Sequence, residues 1–110
     1  MLQANDHDKV KSLLGFAIKA GKVIYGIDNI NASSRRKHLI VVCSTLSPNA
    51  LKQLTRNYST SEILRCKSVK LEDLIYKTNC KVIALTDKQM SQAIINNFNR
   101  DKYDFISEEK

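Results

Sequence analysis

Gly26, Asp28, Asn29, Arg35, Arg36 and Lys37 are the residues of this chain whose types and spacing best fit binding chemistry. A glycine turn followed at once by a helix offers unpaired backbone N–H groups to an anion. Gly26 lacks a Cβ and lets another backbone come close. Asp28 and Asn29 carry groups that can bond to base edges. Arg35, Arg36 and Lys37 supply three adjacent cations for phosphate. A second group, Leu85-Thr86-Asp87-Lys88, follows an apolar run, where α/β folds tend to bind ligands. Thr86 and Asp87 read equally well as a helix N-cap, just as Asp28, Asn29 and the basic trio read as ordinary helix ends.

Other chemistries are poorly supplied. His7, His38 and the cysteines at 43, 66 and 80 have no metal-ligand spacing. His38 and Cys43 are five apart and fall on opposite faces of an extended strand, so they make no nucleophile–base pair. With glycine only at 15, 21 and 26, neither phosphate-loop motif can be written, and no nucleotide cofactor is expected. Three cysteines without a close pair read as reduced thiols serving as small hydrophobes. Residues 1–8 are polar and acidic without signal-peptide character, and no apolar run nears a membrane span. A cytoplasmic protein is expected.

The net charge is +7, and no acidic residue lies between Asp28 and Glu62, a span that holds Arg35, Arg36, Lys37, Lys52 and Arg56. Such a local excess favours polyanions. A basic surface that only keeps the protein soluble is the alternative.

The elements that must position these residues can be read from hydrophobic period. Residues 1–7 are expected to fray, with Asp6 or Asp8 capping a helix from about Asp8 whose face is Val10, Leu13, Leu14, Ala17 and Ile18. Gly21 ends it. Lys22–Tyr25 is a short strand, and a second helix spans about Ile27–Arg36. The continuous run Leu39–Cys43 predicts a central strand of a largely parallel sheet, covered on both faces. Ser47-Pro48 starts a third helix that ends near Tyr58. Ile63–Cys66, of mixed polarity, predicts an edge strand. A short fourth helix carries Leu71, Leu74 and Ile75. Lys81–Leu85 is a second buried strand, and Thr86-Asp87 opens a fifth helix with Met90, Ala93, Ile94 and Phe98 inward.

The reading is therefore α/β: a three-layer α/β/α sandwich on a four-stranded mixed sheet, in the order α-β-α-β-α-β-α-β-α. Residues 1–98 form one domain, and 99–110 an acidic, loose C-terminal tail.

Leu13–Gly26 (Leu-Leu-Gly-Phe-Ala-Ile-Lys-Ala-Gly-Lys-Val-Ile-Tyr-Gly) resembles the start of small bacterial proteins related to the archaeal ribosomal protein L-seven-Ae and the eukaryotic L-thirty-e, the YlxQ-type branch in particular. The strand His38–Cys43, Leu46-Ser47-Pro48-Asn49 and Val82–Lys88 are similar in the same order, so the resemblance covers about residues 10–98. It implies an α/β/α sandwich that binds kink-turn RNA. The family reads guanines through a Gly-x-Asn-Glu segment at the second helix, holds backbone with a Lys one turn later, and covers an extruded base with the loop after the last strand. Gly26 matches the glycine. Asp28 stands at the Asn position, Asn29 at the Glu position and Ala32 at the Lys position. Asn29 offers one uncharged oxygen where glutamate offers a charged fork, while neutralisation of phosphate by Arg35–Lys37 needs only charge.

The expected function is non-enzymatic binding of structured RNA, ribosomal or otherwise, through Gly26, Asp28, Asn29, Arg35, Arg36 and Lys37, with Leu85, Thr86, Asp87 and Lys88 as a second wall. The alternative is the same fold with an eroded RNA edge, serving as a protein-interaction or homodimerising module. No metal, cofactor or membrane partner is expected.

Overall fold

Five helices and five strands alternate along the chain in this computed structural model, which describes residues 9–106. The elements are α1 (Lys9–Lys19), β1 (Val23–Tyr25), α2 (Ile27–Ala32), β2 (Leu39–Val42), α3 (Pro48–Asn57), β3 (Glu62–Cys66), α4 (Leu71–Ile75), β4 (Val82–Leu85), α5 (Lys88–Asn97) and β5 (Tyr103–Ile106). Expectations for residues 1–7, for His7 and for a cap at Asp6 or Asp8 lie outside the described residues.

The local rules hold where the sequence signal is specific. Gly21, at φ 71°, follows α1; its N–H donates to the Ile18 carbonyl and that of Lys22 to Ala17, closing the helix end through a left-handed glycine. Ser47 Oγ accepts the Ala50 N–H with Pro48 in the first turn of α3. Asp87 accepts the Met90 N–H and caps α5.

One mixed sheet runs in the order β1-β4-β2-β3-β5. Only β2 and β3 are parallel; β1–β4, β2–β4 and β3–β5 are antiparallel. Helices cover both faces. On one, Val10, Leu14 and Ala17 of α1, Leu71, Leu74 and Ile75 of α4 and Ile94 of α5 pack against Leu39, Val41, Leu64, Ile83, Leu85 and Tyr103. On the other, Ile30 of α2 and Leu54 of α3 pack against Ile40, Val42, Ile63, Val82 and Ala84. β2 and β4 bury every residue, the consequence of their unbroken apolar runs.

Five expectations are corrected. The sheet has five strands, not four, and it is not largely parallel. The fifth strand lies in the segment read as a loose tail: Tyr103 is fully buried, Cys66 pairs with it in register, and Lys67 meets Asp104 at 3.8 Å. Tyr-Asp-Phe-Ile buries Tyr103 and leaves Phe105, on the same face, partly exposed, a weak strand signal further hidden by the acidic residues around it. With β5 added, β3 is no longer an edge; its polar residues are Arg65, half-buried between two neighbours, and Glu62, exposed at the strand's start. Finally, α2 stops at Ala32 and not at Arg36. Ser33 turns extended, at φ −85° and ψ 137°, so Arg35, Arg36 and Lys37 lie in the connection to β2, and of the three Lys37 still reaches the helix end, through the carbonyl of its cap Ser33.

A candidate ligand cleft and a basic cavity

Two ends of β4 organise the polar surface. Gly26 N–H donates to the Val82 carbonyl at 2.8 Å, placing the β1–α2 turn beside the start of β4. His38 N–H donates to the Leu85 carbonyl at 2.9 Å, and Arg35 Nη2 donates to Thr86 Oγ1 at 3.2 Å, placing the α2–β2 connection at its finish. Three strand steps separate Val82 from Leu85, roughly 10 Å. The ten candidate residues therefore fall into two groups: Gly26, Asp28 and Asn29 at one end, and Arg35, Arg36, Lys37, Leu85, Thr86, Asp87 and Lys88 at the other.

This overturns the idea that Leu85–Lys88 walls the Gly26 edge. Leu85 is fully buried, the Asp87 carboxylate is committed to its helix cap, and Thr86 Oγ1 turns inward toward the Lys22 carbonyl. Lys88 alone of the four is exposed and unpaired among the described residues. The wall beside Gly26 is instead the α4–β4 connection, residues 76–81. It carries Tyr76 and Asn79 at positive φ, 55° and 62°, the two such non-glycine residues among those described. Lys77 Nζ stands over the Tyr25 ring at 5.2 Å, and Lys11 Nζ over the exposed Tyr76 ring at 5.1 Å. Sequence reasoning passed over this connection because its signal, Tyr-Lys-Thr-Asn-Cys-Lys, has no glycine or proline to mark strain.

At the Gly26 end a cleft of about 270 Å³ opens between α2 and α3. Its floor is apolar, Leu46, Leu54 and Val82, and the exposed Ile27 stands at its mouth. Around it stand four carboxamides, Asn31, Gln53, Asn57 and Asn79, and one cation, Lys81. Their spacing follows from helix period: Asn57 is four residues after Gln53 on α3, one turn along the same face. Asn31 Oδ1 accepts the Tyr58 hydroxyl, which fixes that amide and leaves its N–H donors available. The side-chain amides of Gln53, Asn57 and Asn79 have no hydrogen bond among the described residues. Lys81 Nζ is steered by the Thr45 hydroxyl at 2.8 Å. Asn79 is held by its backbone, whose N–H donates to Glu72 Oε2 at 2.6 Å.

Asp28 is exposed and unpaired among the described residues. Asn29 is not fully available: its Nδ2 donates one N–H to the Tyr25 carbonyl at 2.8 Å, which leaves its second N–H and its oxygen. Gly26 is required for a different reason than close approach. A Cβ built on it meets nothing within 4 Å, but its φ of 84° and ψ of 149° lie in a region that is essentially glycine-only. A scan against models of protein families finds no match, and a search of curated proteins finds none.

At the other end of β4, Arg35, Arg36, Lys37, His38 and Lys88 share a cavity of about 390 Å³, with Glu62 as the one acid lining it. Arg35 is tied to the Gly21 carbonyl and Thr86, and Lys37 to the Ser33 carbonyl beneath the Tyr58 ring.

The thiols face inward. Burial pushes the Cys43 thiol up, but hydrogen bonds from the Thr45 hydroxyl and the Leu71 N–H outweigh it and leave its pKa below the ordinary value. Burial holds the Cys80 thiol above it. All three cysteines are buried, and β2 separates Cys43 from His38. Among the described residues no three His, Cys, Asp or Glu side chains gather to hold a metal ion, and no helix is long and apolar enough to cross a membrane.

Proposed function

We propose that this chain is a non-enzymatic RNA-binding protein that captures an unstacked base in the α2–α3 cleft. The observation that carries this reading is the cleft's lining: an apolar floor ringed by four carboxamides, with a lysine and no acid. A carboxamide offers both donor and acceptor, which matches the mixed edge of a nucleobase. The floor suits a base's flat face, and single-stranded or looped RNA is where bases are free to enter such a site. Lys81, and Lys77 on the same connection, supply charge for the adjoining phosphates. Among the described residues no Cys, His, Asp or Glu side chain lines the cleft, and Lys81 is turned to the Thr45 hydroxyl with no general base beside it.

The resemblance to the kink-turn-binding ribosomal protein family agrees with this reading, as does a three-layer α/β/α description of helices on both sheet faces. In that framework Asp28, Asn29 and Ala32 weaken the guanine-reading edge, and the cleft carries more of the recognition. The exposed Ile27 at the cleft mouth favours a second reading, an apolar peptide side chain as occupant.

A gel-shift comparison separates the two. A kink-turn RNA, whose internal loop presents unpaired bases, is expected to bind more tightly than a fully paired duplex of equal length and charge. Gln53→Ala with Asn57→Ala is expected to cut that preference about tenfold or more, since each lost base contact costs about 1–3 kcal/mol. Equal affinity for both RNAs in the native protein removes the base-capture reading and leaves the peptide one. Asn29→Glu with Ala32→Lys is expected to tighten binding to the kink-turn RNA.

A further inference from the structure

We propose that the cavity between the α2–β2 connection and α5 is a second RNA site, which grips phosphodiester backbone while the cleft at the far end of β4 holds a base. The proposal rests on the RNA-binding reading above. One protein would then hold two separate stretches of an RNA, on either side of a four-residue strand.

Four cations and a histidine converge here, and they are not equivalent. Arg35 and Lys37 are fixed by hydrogen bonds to the protein. Arg36 and Lys88 have no hydrogen bond or ion pair among the described residues, although both line the same concavity. Among the described residues Glu62 is the one acid opposing them. Bringing like charges together costs Coulomb energy that an entering anion relieves. A merely solubilising surface has no reason to gather its cations into a hollow lined also by Thr60 and Gln92, neutral groups that can donate to phosphate oxygens.

The chemistry favours a polymer backbone over a small phosphate. A tight small-phosphate site uses backbone N–H groups at a glycine-rich loop or a helix start. The nearest helix start, that of α5, is closed by the Asp87 carboxylate, which accepts the Met90 N–H and puts negative charge there. What remains is an array of side-chain cations, the arrangement that neutralises several backbone phosphates without reading sequence.

The test is the salt dependence of binding of a fluorescein-labelled kink-turn RNA to the full chain. Arg36→Gln with Lys88→Gln is expected to make the slope of log affinity against log KCl shallower by about 1.4–1.8, because each phosphate contact contributes about 0.7–0.9. Preference for the kink-turn RNA over duplex should persist in that variant. Lys9→Gln with Lys19→Gln removes the same charge from α1 and should leave the slope nearly unchanged. Matched thermal midpoints show that each variant is folded. An unchanged slope in the Arg36/Lys88 variant overturns the second site, and so does an equal change in the α1 control. Displacement of the RNA by inorganic phosphate at millimolar concentration, in the native protein but not in the variant, overturns the backbone assignment in favour of a small anion. If Gln53→Ala with Asn57→Ala has no effect while the slope result holds, the base cleft fails and the backbone site stands.

Discussion

Gly26 shows how one residue can set a site without touching a ligand. It carries φ 84° and ψ 149° between β1 and α2, a conformation that costs other residues about 1–3 kcal/mol. Gly26→Ala is expected to lower stability by that amount in a denaturant titration, through backbone strain alone, because the added methyl meets no atom within 4 Å. Gly15 is the contrast. It sits inside α1 with open space at its Cβ position, so Gly15→Ala is expected to raise stability by about 0.5–1 kcal/mol in the same titration. The sequence made the turn at Gly26 legible, but not the use of Asn29, whose amide gives one N–H to the Tyr25 carbonyl. Whether a polar side chain faces a partner or its own backbone depends on rotamer and neighbours, which residue type does not encode.

Among the elements, the caps were the most legible parts, because Ser47-Pro48 and Asp87 act within one turn of themselves. Ser47→Ala is expected to cost about 1 kcal/mol, measured by thermal or chemical unfolding. The end of α2 and the existence of β5 were not legible, for opposite reasons. Arg35, Arg36 and Lys37 are acceptable helix residues, but after Ala32 the chain must leave the helix to reach the start of β2, where His38 meets Leu85. Tertiary demand thus overrode propensity. β5 has only four residues, and its identity depends on a partner strand, β3, nearly forty residues earlier. Tyr103, fully buried at its start, is what fixes it. Tyr103→Ala is expected to cost about 3–5 kcal/mol, with early loss of hydrogen-exchange protection along β3 and β5. Unchanged protection there would mean that β5 contributes no stability.

For the whole molecule, the alternation of helices and strands gave the fold class, and the two unbroken apolar runs gave the centre of the sheet. The pairing order did not follow, since antiparallel β4 inserts between β1 and β2. That insertion decides the functional geometry. It carries Lys88 away from Gly26 and brings in Asn79 and Lys81, so one expected site becomes two, a base cleft and a cationic cavity. The most direct test of the base cleft is the nitrogen–proton spectrum of the side-chain amides during titration with a kink-turn RNA. The account predicts that the amides of Asn31, Gln53, Asn57 and Asn79 shift together and saturate at one RNA per chain, while those of Asn96 and Asn97, on α5 and outside both sites, do not follow them. Saturable RNA binding that leaves all four cleft amides unmoved would contradict it.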